Sequence, residues 1–177
     1  MTDMASLPLH DWIGSWQVDP DRSGTTVRCK TMWGLATVKG TFSNLTGACE
    51  VTESGASGDV RIPVSTLTTG IAKRDGHLRE PEFFDLERFP DITVAVTAAG
   101  PKGPDTADVH ATLSIKGTTR PIDFLASAAE LADGAVRVTT SLVINRHDFG
   151  VDGNLLGMVG DDATVSADVV FVRSDRT

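Results

Sequence analysis

Groups able to do chemistry are few in this chain, and their spacing excludes more than it suggests. The four histidines, His10, His77, His110 and His147, form neither an HxH nor an HExxH pair of metal ligands. Cys29 and Cys49 form no CxxC motif and match no metal-ligand spacing, so they read as free thiols packed like small apolar side chains. There is no GxSxG elbow, no phosphate-cradling GxxxxGK[ST] loop and no dinucleotide fingerprint. His147 and Asp148 are adjacent, and neighbouring strand residues point to opposite faces, which works against a dyad. No catalytic residue, metal ligand or cofactor is therefore assigned. Two polar groups remain. Arg74, Asp75, His77 and Arg79 lie in one segment, where helical spacing would set basic donors side by side for a phosphate or a quinone oxygen. The bland alternative is an ion-paired helix that plugs one end of the fold, with Arg74 or Asp75 bonded to strand backbone and His77 half exposed. Arg146 and Asp148 share a face, and a fixed ion pair at a rim is the default reading for them.

The elements that must position these groups have a period of two. Val109, Ala111, Leu113 and Ile115 alternate with polar residues; so do Val136, Val138, Leu142 and Ile144, interrupted only by Thr140. Ala163, Val165, Ala167, Val169 and Phe171 repeat the pattern, as do Val60–Ile62–Val64, Ile92–Val94–Val96 and Ile122–Phe124–Ala126. Such alternation predicts strands with one wet and one dry face. Asn44 and Gly47, Gly55 to Gly58, Gly100 to Asp105, Gly117 to Thr119 and Asp133-Gly134 punctuate them at hairpin-like spacing. Only Lys73 to Pro90 departs from period two; Pro81 breaks any helix begun near Arg74, predicting a short helix and an irregular lid. Many meandering strands with almost no helix imply a closed barrel or a sandwich. The dry positions are mostly Val, Ala, Ile and Leu, with Phe scarce and Tyr absent, so a barrel built from them keeps unfilled volume.

At 177 residues the chain fits one domain with a substantial core. Hydrophobic residues are 40% and charged residues 23%, a globular composition outside the disordered and membrane classes. The net charge of −8 repels nucleic acid and anionic headgroups, so nucleic acid is not expected as a partner and an anionic ligand needs a local basic cluster. An acidic exterior is also expected to hold the protein off anionic membranes. No run of about 18 apolar residues suggests stable membrane insertion. The opening MTDMASLPLHDWIGSW has no basic or apolar signal region, and with the free thiols this points to a reducing cytoplasm.

The ordered motifs WQVDPDRS from Trp16, VKGTFSNLTG, LTTGIAKRDGHLREPEFFDLERFPDITV, LSIKGTTRPIDF, INRHDFGVDGN and VGDDATVSADV resemble the YceI-like family of polyisoprenoid-binding, lipocalin-like proteins. The resemblance runs from about Trp16 to Arg173. It implies an all-β fold, an extended antiparallel lipocalin-like barrel of about eight strands with a short helix capping one end. It places an N-terminal extension at 1–13 and the barrel at 14–174, and it implies a homodimer. Its implied ligands are polyisoprenoids, isoprenoid quinones or fatty-acyl amphiphiles. Where the family often has His and Phe this chain has Arg22 and Val27, and Thr31 replaces a later histidine, changes expected to alter the lining of the bore.

The expectation is non-enzymatic carriage of a long apolar chain in the bore, with a polar mouth near Arg74, His77 and Arg146. Apolar contacts are expected from Val27, Phe42, Leu67, Val94, Leu113 and Ile144, with Phe149 beyond the last of these strands. Leu78, Phe83, Phe84 and Phe89, with Leu86, make the densest aromatic stretch and are expected to gate the bore or cap it. Met32 and Trp33, beside Gly34, are expected at the entrance, and Trp16 is expected to plug one end. Two rival readings are a stress-related interaction module with a mostly filled bore, working through a dimer surface, and a minor hydrolase or isomerase acting on a bound lipid.

Overall fold

The computed structural model describes residues 8–153 and 159–174. The strands are β1 (Gly14–Val18), β2 (Gly24–Thr31), β3 (Ala36–Phe42), β4 (Thr46–Thr52), β5 (Gly55–Pro63), β6 (Asp91–Pro101), β7 (Thr106–Ile115), β8 (Thr118–Glu130), β9 (Val136–Asn145) and β10 (Asp162–Arg173). Two short helices accompany them, α1 (Leu9–Trp12) and α2 (Ala72–Leu78).

All pairings are antiparallel, and the register shows that the first four strands are two long, broken ones. β1 pairs the end of β10 (Trp16 opposite Arg173), and β2 pairs its beginning (Cys29 opposite Ala163). β4 pairs β1 and β3 pairs β2 in the same way. Counting each broken strand once leaves eight, and the contact of β1 with β10 closes the ring.

The first break lies at Asp19-Pro20-Asp21-Arg22-Ser23. Pro20 has no N–H for the ladder. The Asp19 carboxylate accepts from the Asp21 amide (3.0 Å) and Arg22 Nε (2.7 Å), closing a tight corner. The Ser23 hydroxyl accepts from the Val170 amide at 2.9 Å, and the Asp19 amide donates to the Val170 carbonyl at 2.8 Å, so β10 is stitched across the gap. Arg22 also reaches Asp133 at 2.9 Å. It is a corner residue, and contrary to expectation it does not line the bore.

The wall is uneven on the opposite side. β8 pairs β9 only where Ser127–Glu130 meets Val136–Thr139. Beyond that the two strands run on without a ladder, joined by the Thr140 hydroxyl to the Leu125 carbonyl (2.7 Å) and by Arg120 Nε to the Asp148 carbonyl (2.7 Å). The dry faces of all strands converge on one interior. One end, the floor, is closed by α1: Trp12 and Trp16 are buried with Val51, Ala128 and Val136, and Trp16 Nε1 donates to the Trp12 carbonyl at 2.7 Å. Trp16 thus plugs an end as its position suggested.

Close approach of strands explains Gly47. A Cβ there would lie 2.1 Å from the Asp59 carbonyl oxygen, at a φ of +152°. Gly47→Ala is therefore expected to destabilise the barrel by about 1–3 kcal/mol, whereas Gly100→Ala, with nothing within 4 Å of its Cβ, is expected to be near neutral. Urea denaturation of the two variants checks this.

Candidate functional site

Two contiguous cavities run along the barrel axis. The inner one, about 300 Å³, extends from Trp12 and Trp16 at the floor to Arg146 and Phe149 at the other end, the mouth. Between them its walls are mostly aliphatic, with Phe124 of β8 among them: Val94, Leu113 and Ile144 project into it from β6, β7 and β9. The path from the level of Arg173 to Ala163 on β10 is roughly 30 Å long at about 3.3 Å per residue. The outer cavity, about 580 Å³, lies at the mouth between β2, β3, α2 and the segment around Val151 and Val159. Val27, Phe42, Phe84, Arg146, Val151 and Ala163 border both. The Phe42 and Phe84 rings meet edge to face, 6.0 Å between centroids, where the two spaces join. They form a partition of two side chains.

The lid residues are held by backbone bonds and packing. Pro81 follows the end of α2, and turns continue to Pro90. Leu78 and Phe83 line the outer cavity, with Leu67 beneath them. Phe83 packs so closely over Gly153 that a Cβ there would come within 2.6 Å of the ring. Phe89, expected among the ligand contacts, lines neither cavity: it packs over Gly117, with Arg88 stacked on its ring at 5.1 Å. Met32 and Trp33 also line neither cavity. They sit at the tip of the β2–β3 hairpin, 48% and 76% exposed. The two side chains project outward because a 3₁₀ turn over Met32–Gly34 carries the chain through left-handed φ at both residues, 52° and 55°.

The polar groups are arranged differently from the expectation drawn on sequence. Arg146 is 7% exposed and makes no ion pair with Asp148, which faces solvent. Its guanidinium donates instead to the carbonyls of Val151 (2.8 Å), Gly153 (2.7 Å), Gly160 (2.8 Å) and Val159 (3.3 Å). A strand backbone running into a loop offers orphan carbonyls, and a planar five-donor fork suits several at once. Arg146 borders the cavity, but most of its N–H groups are already engaged.

Beside it, His147 Nδ1 and Nε2 lie 2.8 Å from Asp152 and Asp161 respectively. Only the imidazolium satisfies both acceptors, and these bonds, the Asp152 one first, raise its pKa above the ordinary histidine value. Gly150, at φ 71°, ends the 3₁₀ turn over Arg146–Phe149.

Asp75 accepts from the Thr69 hydroxyl (2.5 Å) and amide (2.7 Å), bonds that hold its carboxyl below the usual range. Arg74 donates to the Thr69 hydroxyl and carbonyl, and Arg79 to the Ser65 and Leu67 carbonyls. These three residues anchor the helix, but by hydrogen bonds to the segment before α2 and not by the ion pairs and strand partners of the bland alternative. Arg74 still borders the outer cavity together with His77 and the unanticipated Lys73. His77 contacts Glu80 and Glu82 at 3.3 and 3.5 Å, and the three gather potential metal-ligand atoms within 4.8 Å at the rim. Cys29 and Thr31 also face this space, a placement that follows from the period of β2 once its inward face is known.

The architecture defines a class: a closed antiparallel barrel enclosing two adjoining, largely apolar cavities with a polar mouth. The chain belongs to the family of the YceI-like domain, whose model matches residues 16–171. A UPF0312 protein of Pseudomonas putida is 30% identical over 128 residues, covering 68% of this chain and 67% of that protein. Protein YceI of Salmonella arizonae is 33% identical over 92 residues, half of this chain and 48% of its own. Among solved structures, Burkholderia cenocepacia BcnA superposes with a TM-score of 0.78 at 20% identity, covering 86% of this chain and 98% of that one. A polyisoprenoid binding domain from Saccharophagus degradans does so with a TM-score of 0.75 at 18% identity, covering 90% and 98%. At these identities the structural likeness carries the fold.

Two outcomes follow from the mouth. Arg146→Met leaves buried carbonyls without donors and is expected to cost roughly 3 kcal/mol, with Arg146→Lys recovering only part; denaturant midpoints measure both. For His147 the folded pKa is raised, so its contribution to stability is full below about 6.5, the ordinary histidine value, and is lost as pH rises through the folded value. The melting temperature is expected to fall as pH rises from about 6.5 through the raised folded value, and to fall less in His147→Asn. His110, raised mainly by Asp123, contributes in the same sense and supplies the remaining slope.

Proposed function

We propose that the protein binds and carries a long apolar ligand of the polyisoprenoid, isoprenoid quinone or fatty-acyl class, without chemically altering it. The observation that carries this reading is the unfilled, almost wholly apolar space of two adjoining cavities, one from Trp12 to the Phe42–Phe84 partition and one from there to the mouth. Hydrocarbon entering it gains about 0.8 kcal/mol per buried CH₂, before ordering costs. A chain of roughly ten methylenes is thus held without strong polar contacts. The polyisoprenoid binding for which the Saccharophagus degradans domain is named supports the same ligand class.

In this reading the apolar tail lies in the inner cavity and a polar headgroup stays in the outer one. Lys73, Arg74 and His77 border that space and suit a phosphate or carbonyl oxygen there. Arg146 serves as the anchor of the mouth, through its carbonyl bonds. The reading of a filled bore acting through a dimer surface lacks its premise, because the bore is open. The enzyme reading gains no support at the cavity, whose outer end carries the free thiol of Cys29, its pKa raised mainly by burial.

Organic extraction of purified protein followed by mass spectrometry is expected to yield a near-stoichiometric isoprenoid or acyl species. Val94→Trp, which fills the inner cavity midway, is expected to remove it while the melting temperature stays within a few degrees of the parent. An empty extract from the parent protein, with no quenching of its tryptophans by added quinones, would defeat the carrier reading.

A further inference from the structure

The tip of the β2–β3 hairpin combines three features that each work against a stable soluble fold. Trp33 and Leu35 are 76% and 84% exposed, with Met32 beside them and Ile71, the residue before α2, 53% exposed. Bulky residues disfavour left-handed backbone, yet Met32 and Trp33 both adopt it and so present their side chains outward. On the outer face of the hairpin Arg28 stands directly opposite Lys39, a like-charge pair, with Lys30 next along β2.

The charge distribution here runs against the whole molecule. The chain has 24 acidic residues against 16 basic ones, yet no Asp or Glu occurs from Arg22 to Cys49. Among the described residues Arg28, Lys30, Lys39 and Lys73 have no ion-pair partner, whereas Arg22, Arg61, Arg88 and Arg137 are each paired with aspartate. The neighbouring acids are Asp162 at the start of β10 and Asp161 just before it, and Asp161 is clasped by His147.

We infer that this tip is a membrane-docking surface, which seats the barrel mouth on an anionic lipid bilayer so that a ligand can pass between bilayer and cavity. Exposed Trp, Leu, Met and Ile with flanking Lys and Arg suit the headgroup zone, where rings and aliphatic side chains enter the acyl boundary and cations meet lipid phosphates. The location suits ligand transfer, because Thr31, Val38, Ile71 and Lys73 border the outer cavity and so make the docking tip and the mouth one region. The acidic remainder of the surface, Glu80 and Glu82 at the rim included, would keep the attachment reversible, with the basic hairpin tip rather than the whole mouth against the bilayer. This inference rests on the carrier reading and refines the expectation that net charge keeps the protein off anionic membranes: the local field at the tip has the opposite sign.

Flotation with vesicles of phosphatidylcholine, alone or mixed with phosphatidylglycerol, tests it. The protein is expected to float with the mixed vesicles, with a blue shift of tryptophan emission, and to be released as salt rises. Trp33→Ser/Leu35→Ser, and separately Arg28→Gln/Lys30→Gln/Lys39→Gln, are expected to lower partitioning by about tenfold or more. These residues are exposed, so circular dichroism should be unchanged in both. Flotation of either variant at the parental level overturns the inference, as does absence of the parent from mixed vesicles. A parent that instead sediments as a dimer lost in Trp33→Ser/Leu35→Ser also overturns it, assigning the tip to self-association. Binding of N-phenyl-1-naphthylamine in vesicle-free solution reads the cavity alone. Probe bound without flotation defeats docking and spares carriage; flotation without probe binding defeats carriage.

Discussion

Small aliphatic side chains on a closed antiparallel ladder cannot meet at the centre, and the rest of this structure follows from that mismatch of wall size and filling. Eight strand-equivalents set a circumference that the hydrogen bonds of the ladder hold fixed. Val, Ala, Ile and Leu facing inward are too short to occupy the enclosed volume, and most of the larger rings stand toward the ends: Trp12 and Trp16 at the floor, Phe42, Phe84 and Phe149 toward the mouth, with Phe124 on the wall between. A sandwich made of similar residues would close its two sheets until the voids vanished. A barrel cannot close further without breaking its ladder, so the space persists.

The polar residues of the mouth mostly serve the backbone. Irregular segments leave carbonyls and amides without ladder partners, and burying them unpaired is costly. Arg146 answers the carbonyls of Val151, Gly153, Val159 and Gly160, Arg79 and Arg74 those of Ser65, Leu67 and Thr69, and Asp75 the Thr69 amide. The His147 imidazolium holds Asp152 and Asp161 beside them. What looks in sequence like a headgroup site is thereby largely a frame. Lys73 and His77 remain beside the cavity, with Arg74 at its edge. The incomplete β8–β9 ladder marks the weakest part of the wall, and exposed Leu125 and Val143 lie along it.

Much of the barrel is legible in the sequence because period two is a local property that survives folding. The inward faces of β6, β7, β9 and β10 follow directly from alternation, and Val94, Leu113 and Ile144 sit where that pattern puts them. Sequence and structure part where position depends on backbone irregularity. Spacing alone puts Met32 and Trp33 at the entrance to the bore, but two successive left-handed residues turn them outward. Proximity in sequence groups Phe89 with Phe83 and Phe84, but the turns after Pro81 send it to Gly117. Arg146 and Asp148 do share a strand-like spacing, yet a 3₁₀ turn over Arg146–Phe149 separates them and gives the arginine carbonyls to bind. Arg22 reads as a change in the bore's lining, and the Pro20 corner takes it away from the bore.

Alternation and turn chemistry were enough, from the amino-acid sequence by itself, to establish an all-β meander with one dry face, and the ordered motifs from WQVDPDRS to VGDDATVSADV placed it in its family over nearly its whole length. Each of these is read from residues near one another along the chain. Which residues border an open space, which arginines are already satisfied, and which apolar side chains face water were decided only by the tertiary structure. Those properties depend on partners far apart in sequence, on where the ring closes and on the few residues with left-handed φ, and no local pattern encodes them.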